Sequence, residues 1–118
     1  MINVKDIVYS ELSKVHELSD SYPKNWTQLP AIQYTEEENY VYEYADDEEQ
    51  SSYIRYRIDI WSNESTSQMA CDIDEKMAIL GFKRISCADT PDPSGLKHKL
   101  MRYEAIIDCN KKFIYHAN

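Results

Sequence analysis

The sequence predicts an α+β fold, an antiparallel sheet of four to five strands with two helices packed on one face, in the order α-β-β-α-β-β. Three observations carry that expectation. Residues 53–61, YIRYRIDIW, set Ile54, Tyr56, Ile58 and Ile60 against Tyr53, Arg55, Arg57, Asp59 and Trp61, the period-two alternation of a half-buried strand. Val4, Ile7, Val8, Leu12, Val15 and Leu18 recur at three- and four-residue steps, as do Met69, Ile73, Met77 and Leu80; each set is one helix face. Two helices cannot cover both sides of a sheet this size, so one face is left uncovered by the chain.

The elements follow in order. The first helix is expected over about residues 3–18 with Asn3 as its cap, ended by SDSYPKN, where Pro23 cannot resume it. Ala31–Thr35 reads as a short strand opened by Pro30. EEENYVYEYADDEEQSS reads as a hairpin arm at about 36–50, ordered at Tyr40–Tyr44 and mobile near Asp46–Gln50, with a partly ordered solvated loop as the alternative. The strand Ser52–Trp61 comes next. Asn63, or Ser65 with Gln68, caps the second helix, and Gly81 ends it. Phe82–Ala88 is a strand, DTPDPSG a turn-rich loop, and Lys97–Cys109 a long strand with Met101, Tyr103, Ala105 and Ile107 inward. A short strand at Lys112–His116 pairs back across Asn110. The 118 residues make one domain of ordinary size.

Composition narrows the function. Ten Tyr stand against two Phe, and amphipathic Tyr suits surfaces that are part buried and part wet. No apolar run approaches a membrane span and no signal peptide opens the chain, so a cytosolic location is expected, without a membrane partner. Cys71, Cys87 and Cys109 are odd in number and lack a C-x-x-C pair, which argues for reduced, buried, small hydrophobes. The sequons at Asn25 and Asn63 carry no weight in such a chain.

The formal net charge is −8, unfavourable for gripping a duplex, and no specific nucleic-acid binding is expected. Its layout is polarised. Between Lys24 and Arg55 there is no base, and Glu36, Glu37, Glu38, Glu43, Asp46, Asp47, Glu48 and Glu49 fill that gap; the other 13 acids equal the 13 bases. From Lys76 onward bases outnumber acids by eight to four.

Chemistry is thin. His16, His98 and His116 have no ligand-spaced partner and read as surface or boundary residues. Asp72, Asp74 and Glu75 diverge around a helix, and Asp72 pairs more naturally with Lys76. Two glycines cannot build a phosphate-cradling loop. No catalytic residue, metal site or cofactor is expected; the chain reads as a non-enzyme.

Contacts remain. Arg, Trp and Tyr are the types in which binding energy concentrates, so Tyr53, Arg55, Arg57, Asp59 and Trp61 are the candidate protein interface. The acidic arm would meet a basic complement of Lys97, Lys99 and Arg102 on a neighbouring copy, a head-to-tail contact that closes into a ring.

The chain resembles the small tail-terminator and tail-completion (head–tail joining) proteins of long-tailed phages and prophages of Gram-positive bacteria. The resemblance rests on the amino-terminal helix, YPKNW, PAIQYTEEEN, YIRYRIDIWSNESTSQ, GFKRI and DTPDPSGLKHKLMRYEAIID, and spans nearly the whole chain. Its most specific piece is the strand of type R-Y-x-I-D-I-W leading through a polar cap to a helix that ends Leu-Gly-Phe, supported by K-x-M-R-Y-E. The resemblance implies an α+β subunit forming a hexameric ring on the tail tube, with the tail-tube and head-connector proteins as partners. It implies no catalytic residues and no cofactor. The location implied is the host cytoplasm during assembly and then the virion tail. A carboxylate-lined lumen would let DNA pass without adhering, so the arm is expected to face the pore or the adjoining subunit. The rival reading is a small acidic inhibitor that mimics nucleic acid and occupies a DNA-binding protein.

Overall fold

The structure is a computed structural model that describes residues 1–23 and 28–114. Helix α1 spans Lys5–Leu12 and α2 Ser67–Leu80; the strands are β1 Ala31–Ala45, β2 Glu48–Ser62, β3 Lys83–Thr90, β4 Lys97–Asp108 and the short β5 Phe113–Ile114. They form one five-stranded antiparallel sheet in the order β1-β2-β4-β3, with β5 pairing β4 at Ile106 and Ile107. The expected α+β class and element order hold.

The core lies on one face. Val8 and Leu12 of α1 and Ala70, Ile73 and Met77 of α2 pack on Ile54, Tyr56, Ile58 and Ile60 of β2 and on Met101, Tyr103, Ala105 and Ile107 of β4. Ile54, Ile58 and Ile60 are fully buried, each worth about 1.5–3 kcal/mol of apolar transfer. The strictest alternation in the sequence thus becomes the central strand, flanked by β1 and β4.

Two boundaries differ from expectation. Helix α1 stops at Leu12, because the chain must leave the core and reach β1: Leu18 stays buried, and Ser19 donates to the Ile32 carbonyl and accepts from Tyr34 N, both at 3.0 Å. Asn3 stands one residue ahead of the cap position, yet its Oδ1 accepts from Lys5 N at 3.0 Å. The expected hairpin is present, and its acidic segment is strand and not the alternative loop. β1 runs unbroken from Ala31 through Glu36–Glu38 to Ala45, and Asp46 and Asp47, at φ 53° and 60°, close a two-residue hairpin turn onto β2. Two left-handed residues in succession match the twist of the flanking strands, and Asp tolerates that conformation better than most. Glu48–Gln50, expected as a mobile stretch, already belong to β2.

Helix α2 follows the expected stripe. Ser65 Oγ accepts from Ser67 N at 3.2 Å, although Thr66 occupies the cap position, and Asp72 accepts from Gln68, one turn earlier, at 3.0 Å. Gly81 ends the helix at φ 112°, where an added Cβ would lie 2.8 Å from Phe113 Cβ. Phe113 in turn meets Phe82 edge-on at 5.1 Å, so the last strand closes the helix end. The last strand was expected to reach His116, which, with the Asn25 sequon, lies outside the described residues.

All three cysteines are exposed, contrary to the expected burial. Cys71 precedes the buried Ile73 by two positions, on the outward side of α2; Cys87 lies on the edge strand β3, whose residues Lys83–Asp89 are all exposed; Cys109 follows β4. Among the described residues no helix is long and apolar enough to cross a membrane.

Candidate functional site: the open face of the sheet

The face turned away from the helices is assembled by strand register. Tyr53 stands between Tyr40 and Ile106, Arg55 between Glu38 and Glu104, Arg57 between Thr35 and Arg102, Asp59 between Gln33 and Leu100, and Trp61 between Ala31 and His98. Directly opposed residues share a face, so the five candidates of β2 are flanked by β4 residues of even number.

One carboxylate organises the middle of this face. Glu37 lies in a bulge, between Glu36 opposite Tyr56 and Glu38 opposite Arg55. The extra residue lets both Glu37 and Glu38 reach the arginines. Glu37 accepts from Arg55 Nε at 3.2 Å and from Arg102 Nε at 3.0 Å, and Arg57 Nη1 lies 3.8 Å away. Glu38 accepts from Arg55 Nη2 at 3.3 Å. Arg57 and Arg102 are direct cross-strand neighbours of like charge, an unfavourable pair that the carboxylate between them offsets.

A second cluster closes the lower end. Asp59 accepts from Arg57 Nε at 2.9 Å and lies 2.7 Å from His98 Nε2. The other ring nitrogen of His98 faces Asp92 at 3.5 Å. Asp92 accepts from Trp61 Nε1 at 3.0 Å and from the backbone and hydroxyl of Ser94. Its carboxyl is held below the usual range chiefly by Ser94, with Trp61 and His98 adding to the effect against the opposing penalty of burial. The indole is stacked on His98 at 4.5 Å and on Tyr22 at 5.5 Å. At the other end Tyr53 donates to Glu104 at 2.7 Å and stacks on Tyr40 at 4.9 Å; burial, then the Glu104 carboxylate, push its phenol up to about 12.

The five candidates therefore share one face, as the alternation implied, but they differ in what they offer. Trp61 is 4% exposed, Asp59 2% and Tyr53 9%, covered by residues of their own chain. The arginines are the accessible part, with side chains 30% exposed for Arg55, 33% for Arg57 and 36% for Arg102. Sequence reasoning missed Glu37, His98, Asp92 and Glu104 as members of this face. The signal was present for His98 and Glu104, since an inward set of Met101, Tyr103, Ala105 and Ile107 forces His98, Leu100, Arg102 and Glu104 outward.

The charge segregation expected between copies is partly consumed within one chain. Of the basic complement, Arg102 binds Glu37, and Lys99 Nζ lies 2.9 Å from Asp89; Lys97 is exposed. Of the arm, Glu37 and Glu38 meet the arginines, and Glu49 takes the Ser52 hydroxyl and, at 3.1 Å, the terminal ammonium of Met1. The Ser52 bond is the larger influence holding the Glu49 carboxyl low. Glu36, Glu43, Asp46, Asp47 and Glu48 are exposed to solvent.

A depression of about 330 Å³ opens beside Trp61, Asp59 and His98. Among the described residues no group of three His, Cys, Asp or Glu side chains is placed to hold a metal ion. No protein-family model matches the chain, and no curated protein matches it.

Proposed function

We propose that this chain is a non-enzymatic structural subunit of phage or prophage assembly, a tail terminator that forms a ring, caps the tail tube and joins it to the head connector. The observation that carries the reading is the outer half of β1. Tyr40, Val41, Tyr42 and Tyr44 are 51%, 47%, 54% and 61% exposed on an edge strand. Aromatic side chains gathered on a sheet edge, bordered by acids, have the composition of surfaces that another polypeptide covers. The resemblance over the amino-terminal helix, 22–39 and 53–108 supplies the kind of assembly, a hexameric ring in that group of proteins, and adds the tube and connector as partners.

Under this reading the exposed acids of the hairpin, Glu43, Asp46, Asp47 and Glu48, line the lumen or meet the neighbouring subunit, and DNA passes them without adhering. The nucleic-acid mimic finds less support. Glu37, Glu38 and Asp59 are engaged by arginines of the same chain, which takes three carboxylates out of any phosphate-like array.

The test is electron microscopy of the protein mixed with tail tubes that lack their terminal subunit. Rings seated on tube ends are expected. Bare tube ends at saturating protein would refute the proposal.

A further inference from the structure

We infer that copies of this chain join edge to edge, the free half of β1 in one copy adding as an antiparallel strand to β3 of the next. The inference rests on the assembly reading above and names the surface that would join the subunits.

Strand polarity is the first support. The order β1-β2-β4-β3 is antiparallel at every step, so β1 and β3, the two ends of that path, run in opposite directions. A second copy set beside the first in the same orientation therefore brings its β3 antiparallel to β1. The operation can be repeated, and it closes when the rotation permits.

Availability is the second. Ser19 occupies the outer side of β1 at Ile32 and Tyr34. Beyond that point, from Glu36 to Ala45, no described strand pairs with it, and none pairs with the outer side of β3. Such rows of backbone donors and acceptors are templates for another strand. The side chains fit: Tyr40, Val41, Tyr42 and Tyr44 are exposed on β1, and Ile85 is 41% exposed on β3.

Charge selects the pairing. β1 carries Glu36, Glu37, Glu38 and Glu43 and no base, whereas β3 opens with the exposed Lys83 and Arg84. Joining β1 to β1 sets acids against acids along the whole free half. An antiparallel β3–β3 junction opposes Lys83 and Arg84 to Asp89 of the second copy but leaves the exposed aromatic half of β1 uncovered, so the mixed pair alone covers both edges with opposite charge at the Lys83 end. The antiparallel sense also directs the Lys83–Arg84 end of β3 towards the hairpin end of β1, away from Ser19.

The experiment is sedimentation velocity on the full chain at low salt, with folding of each variant checked by circular dichroism. Wild type is expected to assemble. Glu36→Lys with Glu43→Lys reverses one edge, and Lys83→Glu with Arg84→Glu the other; each pair should weaken association at least tenfold. Mixing the two variants, or placing all four changes in one chain, restores opposite charges across the junction and should restore assembly, a result that mere misfolding cannot give. Two outcomes overturn the inference: wild type monomeric up to about millimolar concentration, or the paired variants assembling as well as wild type. Rings that cap tubes regardless of these edges would sink the junction and leave the terminator reading standing.

Discussion

Removing the indole of Trp61 should unfold the chain well before it disturbs any partner. The ring is 4% exposed, stacked between His98 and Tyr22, and its Nε1 is bonded to Asp92. An aromatic side chain of this kind buries about 150–250 Å², which at about 25 cal/mol per Å² is roughly 4–6 kcal/mol. Residual burial in the unfolded chain trims that by about 10–40%, leaving about 3–5 kcal/mol for Trp61→Ala, the range seen for large aromatic truncations. Against a total of about 5–15 kcal/mol for a typical domain, this is a large fraction. Trp61→Phe keeps a ring in the stack and loses the donation to Asp92, costing about 1–2 kcal/mol. Urea unfolding followed by far-ultraviolet circular dichroism measures both, since the signal does not depend on the indole removed. A loss below about 1 kcal/mol for Trp61→Ala would refute the reasoning, for that is what an exposed residue returns.

Glu37→Gln removes the charge that holds three arginines and should cost about 1–2 kcal/mol at low salt, less at high salt where exposed pairs are screened; a loss independent of salt would contradict the hub. Gly81→Ala forces a side chain into φ 112° and onto Phe113, so a loss of about 1–3 kcal/mol is expected in the same unfolding assay, and a neutral result would mean that the helix end is not closed this way. Tyr53, at about 12 when folded and about 10 when unfolded, keeps its proton longer in the native state. Its contribution is therefore complete below about pH 10 and falls as pH rises to about 12; stability that stays flat or increases over that interval in wild type would contradict it.

The parts of the fold that were legible in the sequence are those in which local pattern and tertiary role agree. Ile54–Ile60 alternate because only one face of β2 packs under the helices while the other meets polar and charged groups, and Met69–Leu80 step by three and four because α2 lies on that first face. The hairpin of the acidic segment was legible, but its place within the sheet was not, because its partners are remote: Glu37 meets Arg55 18 residues away and Arg102 65 residues away, across two strand pairings. Read alone, EEE is a solvated run; set opposite arginines with a bulge between, it is a strand. The turn was hidden for a related reason, since Asp46-Asp47 does the work usually given to Asn-Gly. Asp59 and Trp61 read as interface residues because composition reports chemistry and not cover, and their cover, His98, Asp92 and Tyr22, comes from β4 and from two loops.

Three exposed thiols give the chain built-in attachment points for probes. Cys71 reports from the helix layer, Cys87 from the outermost strand and Cys109 from the turn after β4. Single-cysteine derivatives carrying a small alkylating dye would therefore read three regions separately, and slowing of the reaction at Cys87 alone, on raising the protein concentration, would locate a junction without any change to the charges that form it.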